Sequence, residues 1–425
     1  MGLLINMFLK RSMPHKKVGL FVEVGRMRKV LNVLLEGRLI KTILGLVDQG
    51  IGYLSRAIIA RITPVCNKSV IFMTYNKEYM CNPKYIIEEI IRQKLSWELY
   101  WVTNKKSPQS TIPNGVECVK YKTAAFYLKC FSSKIWVDNA INFTWLPLYK
   151  KNNQVYINTW HGSMGIKRIG SSDNKNRRWV RCAKKCGKKT DYVISNSQFE
   201  DGVYRNTYWP KTEILRFGHA RNDPLFDEKK KEEARRKVHS SYNLSQGKRI
   251  IMYAPTFRDD GSFDWFNLSC KSVKQAMEQR FGGEWIIFIR YHFHDRNKTN
   301  YDELSQEYVI DVTDYPDMQE LMLASDAGIT DYSSWAYDYV FLRKPLFIYA
   351  SDLEKYNSER GLYYKLETTP FPIADCNEAL IHNICHFDET NYQKRIDAFL
   401  DDKGSVEDGQ AAKRIVEKMK EIIGN

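Results

Sequence analysis

The sequence lacks the short motifs that would assign its chemistry directly. Its 425 residues contain no G-x-x-x-x-G-K-[ST] phosphate loop, no G-x-S-x-G serine elbow and no D-x-D pair. The first two absences argue against a P-loop nucleotidase and a serine hydrolase of the α/β type. Without D-x-D there is no candidate for an acidic metal bridge, so phosphate charge would have to be met by Arg, Lys, His or a helix terminus.

Cysteine is present, but the spacing of the cysteines does not match that of a metal site. The nine cysteines form no C-x-x-C pair, and Cys182 and Cys186, four residues apart, have no second pair of ligands nearby. We therefore predict no zinc or other metal site, and we expect no cofactor. Scattered free thiols are typical of a reducing compartment, which makes the cytoplasm the default location.

Long apolar runs are also missing. Between Met1 and Pro64 the longest uncharged stretch is Met1–Leu9, whereas a membrane-spanning helix needs about 20 apolar residues. The same region has eleven Lys or Arg residues and three Asp or Glu residues, a net charge of +8. This pattern predicts basic amphipathic helices over residues 1–65 that lie on an anionic membrane surface. The alternative is that these helices pack on the globular body with solvated charges.

Positive charge is what the chain has in excess. The 65 Lys and Arg residues exceed the 50 Asp and Glu residues by 15. A surplus of this size indicates polyanionic partners, namely nucleic acid, acidic lipid or phosphate-rich substrates. The length of the chain predicts two domains rather than one.

From Asn67 onward, short apolar runs alternate with helical stretches in two series. The predicted strands of the first series are SVIFMTY, WELYWVT, KIWVDNA, QVYINTW, DYVISNS and EILRFG, and those of the second are RIIMYAP, WIIFIRYH, YVIDVT, AGITDYSS and PLFIYA. A charge-dense helix beginning just after Pro224 separates the series, and a final helix could brace the lobes. We predict an α/β protein with two Rossmann-like lobes, 66–227 and 228–425, facing a central cleft.

The first candidate site lies at the end of a strand in the first series. His161 follows QVYINTW, and its imidazole can take a proton from a hydroxyl near neutral pH. Gly162 allows the backbone to approach a ligand closely, and Lys167 and Arg168 favour an anionic acceptor. The competing interpretation of a His-Gly pair at a strand end is a simple turn.

Two candidate sites lie in the second series. Arg258, in YAPTFRDD, offers a planar fork of donors to phosphate oxygens, although pairing with an adjacent aspartate is the alternative. Arg290, His292 and His294 alternate along FIRYHFHDR and share one face if the strand continues. Such a group suits a diphosphate and its leaving group, and a structural histidine is the alternative, above all for His294.

A further candidate is the turn after AGIT. Ser333 and Ser334 follow Asp331 there, and we expect a helix to begin at these serines. Free N–H groups and the helix dipole at such a point bind phosphate, and the two hydroxyls add donors. Ordinary N-capping by Ser333 needs no ligand and is the alternative.

These clusters, in this order, resemble a known family. The segments that carry the resemblance are INTWHGSMGIKRIG, ISNSQFEDGVY, GHARND, YAPTFRDD, DVTDYPDMQELMLASDAGITDYSSWAYDY, RKPLFIYASDLEKY and ERGLYYKLE. Together they are similar to the CDP-glycerol glycerophosphotransferases, which include primases and polymerases of wall teichoic acid and related capsule enzymes. The likeness runs from about Ser69 to about Ile384.

The resemblance implies a GT-B-like fold and a set of roles. His161 matches the proposed general base, and His292 matches a second catalytic group beside the donor diphosphate. The residues assigned to donor phosphate are Arg258, Asp331, Ser333 and Ser334. The residues assigned to the acceptor are Gly162, Lys167 and Arg168. The loop after WHG reads SMGIK where many relatives have TP and a following lysine, which bears on the acceptor more than on the donor.

The activity implied is transfer of glycerol phosphate from CDP-glycerol to a hydroxyl of a membrane-linked acceptor, with release of CMP. The acceptor would be a lipid-linked glycan or glycerol-phosphate chain in teichoic acid or capsule synthesis. A peripheral enzyme on the cytoplasmic face of the bacterial membrane, with no nucleic-acid partner, is expected. Two other donors stay open, CDP-ribitol and a nucleotide sugar used by a GT-B glycosyltransferase. A non-catalytic basic scaffold at the membrane or on RNA would explain the charge without any site.

Overall fold

The computed structural model describes residues 56–104, 111–146, 148–169, 177–258, 267–291 and 307–424. The chain divides into two compact units, residues 1–62 and 63–425. In the first unit residues 56–62 are helical, and Ile58 and Ile62 are exposed. The rest of the predicted amphipathic segment lies outside the described residues. None of the described helices has the length and apolarity needed to cross a bilayer.

The second unit begins with a sheet of seven parallel strands. They are β1 (Cys66–Met73), β2 (Glu98–Thr103), β3 (Val116–Lys120), β4 (Ser133–Asp138), β5 (Val155–Asn158), β6 (Tyr192–Ser195) and β7 (Glu213–Arg216). Their order in the sheet is β3-β2-β1-β4-β5-β6-β7. Ile71 of β1 pairs with Trp136 of β4, which makes these two strands the centre of the sheet.

A second parallel sheet follows, with six strands. They are β8 (Lys248–Tyr253), β9 (Glu284–Ile289), β10 (Val309–Asp311), β11 (Ala327–Thr330), β12 (Leu346–Tyr349) and β13 (Ile373–Ala374). Their order is β10-β9-β8-β11-β12-β13. In both sheets the chain starts in the middle, moves to one edge and returns across the starting strand, which is the Rossmann order. The predicted α/β architecture with two Rossmann-like lobes is confirmed.

Helices connect the strands of both lobes. The α-helices are Cys81–Arg92, Ala124–Ser132, Arg177–Lys189, Gln198–Arg205, Glu228–Ser241, Cys270–Phe281, Met318–Ala324, Ala336–Tyr339, Leu353–Arg360, Asn377–Cys385, Glu389–Lys403 and Ala411–Ile423. The 3₁₀ turns are Asn142–Thr144, Ala220–Phe226, Val340–Leu342 and Leu366–Thr368.

Most of the strands that apolar runs predicted are largely buried, and the exceptions are the edge strands β7 and β10, which have one buried residue each. The last five residues of β1 and all four residues of β11 are buried, as expected for strands covered on both faces. The prediction missed β3 and β13. In β3 only Val119 is buried, because this strand lies at the sheet edge. β13 is two residues long and has no run to detect.

The connection between the lobes differs from the prediction. Pro224 lies inside the 3₁₀ turn, and the charge-dense helix begins one turn later, at Glu228. The side chain of Asp227 caps this helix by accepting from the N–H groups of Lys229 (2.9 Å) and Lys230 (3.3 Å). An aspartate at the N-cap satisfies amide donors that have no partner within the helix, so it fixes the start.

The final helix returns to the first lobe. Ala412, Ile415, Val416 and Met419 belong to the same hydrophobic core as the strands of the first sheet. The Asp223 carboxylate accepts from the N–H groups of Ala411 (2.9 Å) and Ala412 (2.7 Å) at the start of this helix. The helix therefore ties the end of the chain to the connection between the lobes. The predicted domain boundary at 227/228 stays a prediction.

The topology fixes where ligands would bind. In an open parallel sheet the crevice lies beyond the carboxyl ends of the strands, where the strand order reverses. In the first lobe that point lies between β1 and β4, with β5 next to it, and in the second lobe between β8 and β11, with β9 next to it. Every sequence-predicted site residue that the structure describes follows one of β5, β8, β9 or β11.

Gly187 provides a test of the packing of the first lobe. A Cβ atom at this helical glycine would lie 1.6 Å from the carbonyl oxygen of Tyr208. We expect Gly187→Ala to destabilise the protein by about 1–3 kcal/mol or more, since backbone must shift to relieve the overlap. The free energy of unfolding from urea titration of the two proteins measures this.

The matched control is Gly202, which is also helical, but a methyl group added there would meet open space, with no atom within 4 Å. Gly202→Ala should leave stability unchanged or raise it by roughly 0.5–1 kcal/mol, because alanine favours the helix. Equal effects of the two substitutions would contradict the packing described for Gly187.

Candidate active site

His161 lies in a tight turn after β5. The Asn158 side-chain oxygen accepts from the N–H of Trp160 at 2.8 Å, and Trp160 has a φ of +47°. A bulky residue in the left-handed region is uncommon and is kept only where its surroundings hold it. Here Trp209 packs edge-on against the Trp160 ring at 5.2 Å between centroids. The turn holds the next residue, His161, at the end of the strand.

The tautomer of His161 is set by a backbone contact. Its Nδ1 lies 2.5 Å from the carbonyl oxygen of Asn139. Because a carbonyl can only accept, Nδ1 carries the proton and Nε2 keeps its lone pair. The rings of Tyr75 and Trp160 flank the imidazole, with centroids 5.5 and 4.6 Å away. His161 is therefore oriented as a proton acceptor through Nε2.

Asn139 is itself held by its neighbours at the end of β4. The buried Asp138 carboxylate accepts from the N–H of Ala140 (2.9 Å), the N–H of Asn142 (2.8 Å) and the hydroxyl of Tyr156 (2.9 Å). The Asn139 side chain in turn accepts from the N–H of Tyr75 at 3.0 Å. These bonds fix the loop whose carbonyl selects the histidine tautomer.

The position of His161 in the cleft favours the neutral ring. The residue is exposed to solvent on one side, and the rings of Tyr75 and Trp160 and the Asn139 carbonyl enclose the imidazole on the other. This enclosure lowers the pKa of His161 from 6.5 to about 4, and the positive charges of Arg221 and Lys167 act in the same direction. The bond to Asn139 opposes the shift. At neutral pH the imidazole is uncharged and can accept a proton.

The loop that follows His161 joins the second lobe. Gly165 lies against Ser334, since a Cβ at position 165 would approach the Ser334 Cβ to 3.1 Å. Lys167 forms an antiparallel bridge with Leu362, and the N–H of Arg168 donates to the Gly361 carbonyl at 3.3 Å. The Arg168 side chain donates from Nε to the Leu362 carbonyl at 3.0 Å. Backbone from both lobes thus closes one end of the cleft.

A cavity of about 210 Å³ lies beside this junction. It brings together five of the predicted residues, which are His161, Gly162, Lys167, Arg168 and Ser334. The second lobe also contributes Arg360 and Tyr363, and the first lobe contributes Glu200 and Tyr204. The histidine and the hydroxyl-bearing turn therefore face one shared space.

The turn after β11 differs from the prediction. The helix begins at Ala336 rather than at the serines, and it is four residues long. Neither serine hydroxyl makes a hydrogen bond within the described ranges, and Ser333 does not cap the helix. A single turn of helix has little dipole, so donors for an anion would be the hydroxyls and the N–H groups of Ser333 and Ser334.

Arg258 lies beneath this turn and is buried. Its Nε and Nη2 donate to the Asp352 carboxylate at 2.7 and 2.9 Å, and its Nη1 donates to the Thr256 carbonyl at 2.6 Å and lies 2.9 Å from Asp331. The Tyr332 ring packs over the guanidinium, with its centroid 5.1 Å away. Direct binding of donor phosphate by Arg258 stays a prediction, and these contacts favour a positioning role.

Asp331, like Arg258, is buried and bonded to nearby backbone. One of its carboxylate oxygens accepts from the N–H groups of Thr256 (2.8 Å) and Tyr332 (2.6 Å). The carboxylate thereby joins the loops after β8 and β11 at the point where the strand order reverses.

His292 and His294 lie outside the described residues. Within the described ranges, no three His, Cys, Asp or Glu side chains cluster as ligands for a metal ion.

A buried ion pair between the lobes was missed by the sequence analysis. Arg221, in GHARND, donates through Nε to Asp338 at 2.9 Å and through Nη2 to the Gly162 carbonyl. Both side chains of the pair are about 5 % exposed. Asn222 also donates to Asp338, at 3.0 Å. The segment GHARND contributes to the family resemblance, but an Arg-Asn-Asp run by itself does not reveal a distant partner.

A second buried group lies behind the cavity. His219 Nε2 is 2.9 Å from the Glu200 carboxylate, and both side chains are almost fully buried. Glu407 accepts from the N–H of His219 (3.1 Å) and from the side chain of Asn222 (2.8 Å), and burial raises the pKa of Glu407 to about 7. These contacts hold the loop that carries Arg221.

Two Rossmann-like lobes that share a cleft, with a histidine on one side and a hydroxyl-bearing turn on the other, define a GT-B-type group transferase. Residues 55–421 match the model of the CDP-Glycerol:Poly(glycerophosphate) glycerophosphotransferase family. The chain belongs to this family.

Curated relatives agree with this assignment. The chain is 32% identical to a teichoic acid poly(glycerol phosphate) polymerase of Staphylococcus epidermidis over 82% of its own length, and it spans half the length of that protein. It is 31% identical to a teichoic acid glycerol-phosphate transferase of Staphylococcus aureus, over 82% of this chain and 92% of the relative.

A solved structure shares the same fold. The wall teichoic acid polymerase TagF, in a histidine-to-asparagine variant soaked with CDPG, has a TM-score of 0.76 and 29% identity to this chain. The match covers 96% of this chain and 99% of the polymerase chain.

The ion pair between the lobes can be tested by Asp338→Asn. This change leaves the buried Arg221 guanidinium without its counter-charge, and removing one partner of a buried pair costs about 3–5 kcal/mol. We expect a lower free energy of unfolding in urea titrations. The control is Asp397→Asn, which breaks the exposed Arg343–Asp397 pair and should cost at most about 1 kcal/mol. Similar losses in the two variants would contradict the role given to Asp338.

Proposed function

We propose that this chain transfers glycerol phosphate from CDP-glycerol to a hydroxyl of a membrane-linked acceptor and releases CMP. Membership of the glycerophosphotransferase family supports the reaction. The names of the relatives support its place in teichoic acid synthesis, and the polymerase structure soaked with CDPG supports the donor. The acceptor, the anionic membrane surface and the cytoplasmic face of the membrane are part of the proposal.

One observation carries the mechanism. His161 donates its Nδ1 proton to Asn139, which leaves the Nε2 lone pair free in a cavity that also contains Ser334 of the other lobe. Attack of a hydroxyl on a phosphoryl group requires a base for the hydroxyl proton and donors for the phosphate charge. His161 and the serine turn would provide these on opposite sides of one cavity.

In the proposed reaction the acceptor hydroxyl attacks the β-phosphorus of CDP-glycerol. The new bond joins the acceptor oxygen to that phosphorus, the bond from phosphorus to the bridging oxygen breaks, and CMP leaves with the bridging oxygen. The acceptor proton passes to Nε2 of His161. Phosphoryl transfer depends mainly on alignment and on stabilisation of charge, so the remaining side chains act as positioning and charge-bearing groups.

The donor and acceptor are assigned to opposite lobes. The N–H groups and hydroxyls of Ser333 and Ser334 would bind the donor phosphates, and Lys167 and Arg168 would attract an anionic acceptor. Arg258 holds Asp331 and Asp352 in place beneath the serine turn. The role of His292 beside the departing CMP is retained in the proposal on the resemblance alone.

The reaction is tested by release of CMP from three donors offered in parallel, CDP-glycerol, CDP-ribitol and a UDP-sugar, with a synthetic lipid-linked acceptor. We expect turnover with CDP-glycerol. His161→Ala should lower kcat by about 10²–10⁴, the usual contribution of a general base, with little change in donor binding. Turnover of the UDP-sugar, with neither CDP-polyol used, would overturn the proposal in favour of a glycosyltransferase.

His382 provides the matched control for that substitution. It is an exposed histidine on the Asn377–Cys385 helix, and it does not line the cavity that contains His161. His382→Ala should keep full activity, so a loss common to both alanine variants would point to an unspecific effect.

The acid side of the pH profile provides a separate test of His161. Its lowered pKa, about 4, means that the base form persists as the pH falls through the ordinary histidine range. We expect kcat/KM for CDP-glycerol to stay level from pH 8 to pH 6 and to fall as the ring is protonated near the lowered pKa. A profile that falls by half near pH 6.5, the ordinary value for histidine, would contradict the enclosure described for this ring.

A further inference from the structure

The Arg177–Lys189 helix has an unusual charge pattern. Seven of its thirteen residues are Arg or Lys, and none is Asp or Glu. Its buried residues are Ala183, Cys186 and Gly187. The exposed basic residues are Arg177, Arg178, Arg181, Lys184, Lys185 and Lys188. The fully buried face of the helix consists of small side chains, and every charged residue that it exposes is positive.

The basic side chains form a stripe along one face. Arg177, Arg181, Lys184 and Lys188 are separated by four, three and four residues, which places them above one another on a helix. At 1.5 Å per residue the stripe is about 17 Å long. This exceeds the screening length of about 8 Å at physiological ionic strength. A single phosphate would therefore interact with part of the stripe, whereas a chain of phosphates would interact with all of it.

These charges are not neutralised by neighbouring carboxylates. Within the described ranges, Arg181, Lys184, Lys185 and Lys188 make no ion pair. By contrast, the Glu228–Ser241 helix pairs Lys230 with Glu233 at 3.1 Å and Lys231 with Glu228 at 2.6 Å. An unpaired row of like charges repels itself, and a polyanion that binds there would relieve the repulsion.

Aromatic contacts connect the first turn of this helix to the cavity. The Trp179 ring contacts the Tyr208 ring at 5.5 Å between centroids, and Tyr208 contacts Trp160 at 6.3 Å. Trp160 in turn lies against His161. The first turn of the helix is thus linked to the histidine through two aromatic side chains.

The face of this helix does not suit insertion into a membrane. A helix that lies in the bilayer interface combines a charged face with an exposed apolar face. The large hydrophobic residues exposed in the described part of the chain are Ile58, Ile59, Ile62, Tyr75, Ile91, Leu128 and Phe226. None of them belongs to the Arg177–Lys189 helix, so its charges favour a hydrated polyanion over a lipid surface.

We propose that the Arg177–Lys189 helix is the docking surface for the phosphodiester backbone of a polyanionic acceptor. The inference rests on the proposed function, because the acceptor that it describes is a chain of glycerol phosphate units whose terminal hydroxyl reaches His161. The stripe holds the part of the chain that has already been made. It follows that acceptor affinity rises with the number of phosphate units, which favours repeated addition over addition of a single unit.

The test compares a lipid-linked acceptor with one glycerol phosphate unit and an oligomer long enough to cover the stripe. The variant is R181Q/K184Q/K185Q/K188Q. We expect its KM for the oligomer to rise roughly tenfold, since each exposed ion pair lost changes an equilibrium constant by up to a few-fold. Its KM for the one-unit acceptor should rise much less, because one phosphate interacts with only part of the stripe, and its KM for CDP-glycerol should not change. Raising the salt concentration should reduce the advantage of the oligomer in the unaltered protein.

A matched control removes one Arg and three Lys from exposed positions on the second lobe, K229Q/R236Q/K271Q/K394Q. It should leave both KM values as they are, and thermal melting of the two variants checks that both are folded. Equal increases for short and long acceptors, or no increase, would overturn the proposal. So would loss of binding to phosphatidylglycerol vesicles with an unchanged KM for the oligomer, which would assign the stripe to the membrane.

Binding of a fluorescently labelled oligomer, measured by fluorescence anisotropy, tests the docking surface independently of the reaction. Absence of CMP release from the unaltered protein would reject the proposed function. Oligomer binding that the stripe variant weakens and the control does not would still support the docking surface. Oligomer binding equal in all three proteins would reject the docking surface even if CMP release is normal.

Discussion

The buried bridge from Arg221 to Asp338 is the interaction on which the rest of the site depends. Arg221 comes from the connection that follows the first sheet, and Asp338 from the helix that follows the serine turn of the second. The same guanidinium also binds the carbonyl of Gly162, beside His161. A buried charge needs a partner of opposite sign and further hydrogen bonds, so the three segments are held to one arrangement. The spacing between His161 and the turn that contains Ser334 follows from that arrangement.

Arginine and lysine therefore have two kinds of place in this protein. Arg221 and Arg258 are buried, and each is bonded to carboxylates and backbone carbonyls, so they fix loops. On the Arg177–Lys189 helix, the exposed cations Arg181, Lys184, Lys185 and Lys188 have no such partners among the described residues. The excess charge of the chain thus has a structural part, which is neutralised internally, and an exposed part, which remains available to anions.

The sequence could predict the features that depend on local patterns. Apolar runs identify the buried strands, and the position of His161 after one of them places it at the edge of the sheet where ligands bind. The edge strand at Val116–Lys120 was not predicted because Glu117 and Lys120 interrupt its apolar residues, so it contains no apolar run. Ion pairs are harder to predict from the sequence than strands are. Arg258 pairs with Asp352, 94 residues away. No periodicity encodes a contact at that separation.

The absence of a side chain at Gly165 has a consequence for the width of this cleft. A Cβ atom at this position would lie 3.1 Å from the Cβ of Ser334, so the loop that follows His161 lies directly against the serine turn. A side chain there would require the Ser334 side chain to shift by a few tenths of an ångström. Gly165 therefore sets how closely the two sides of the cavity approach each other, while Lys167, Arg168 and Tyr363 line its flanks.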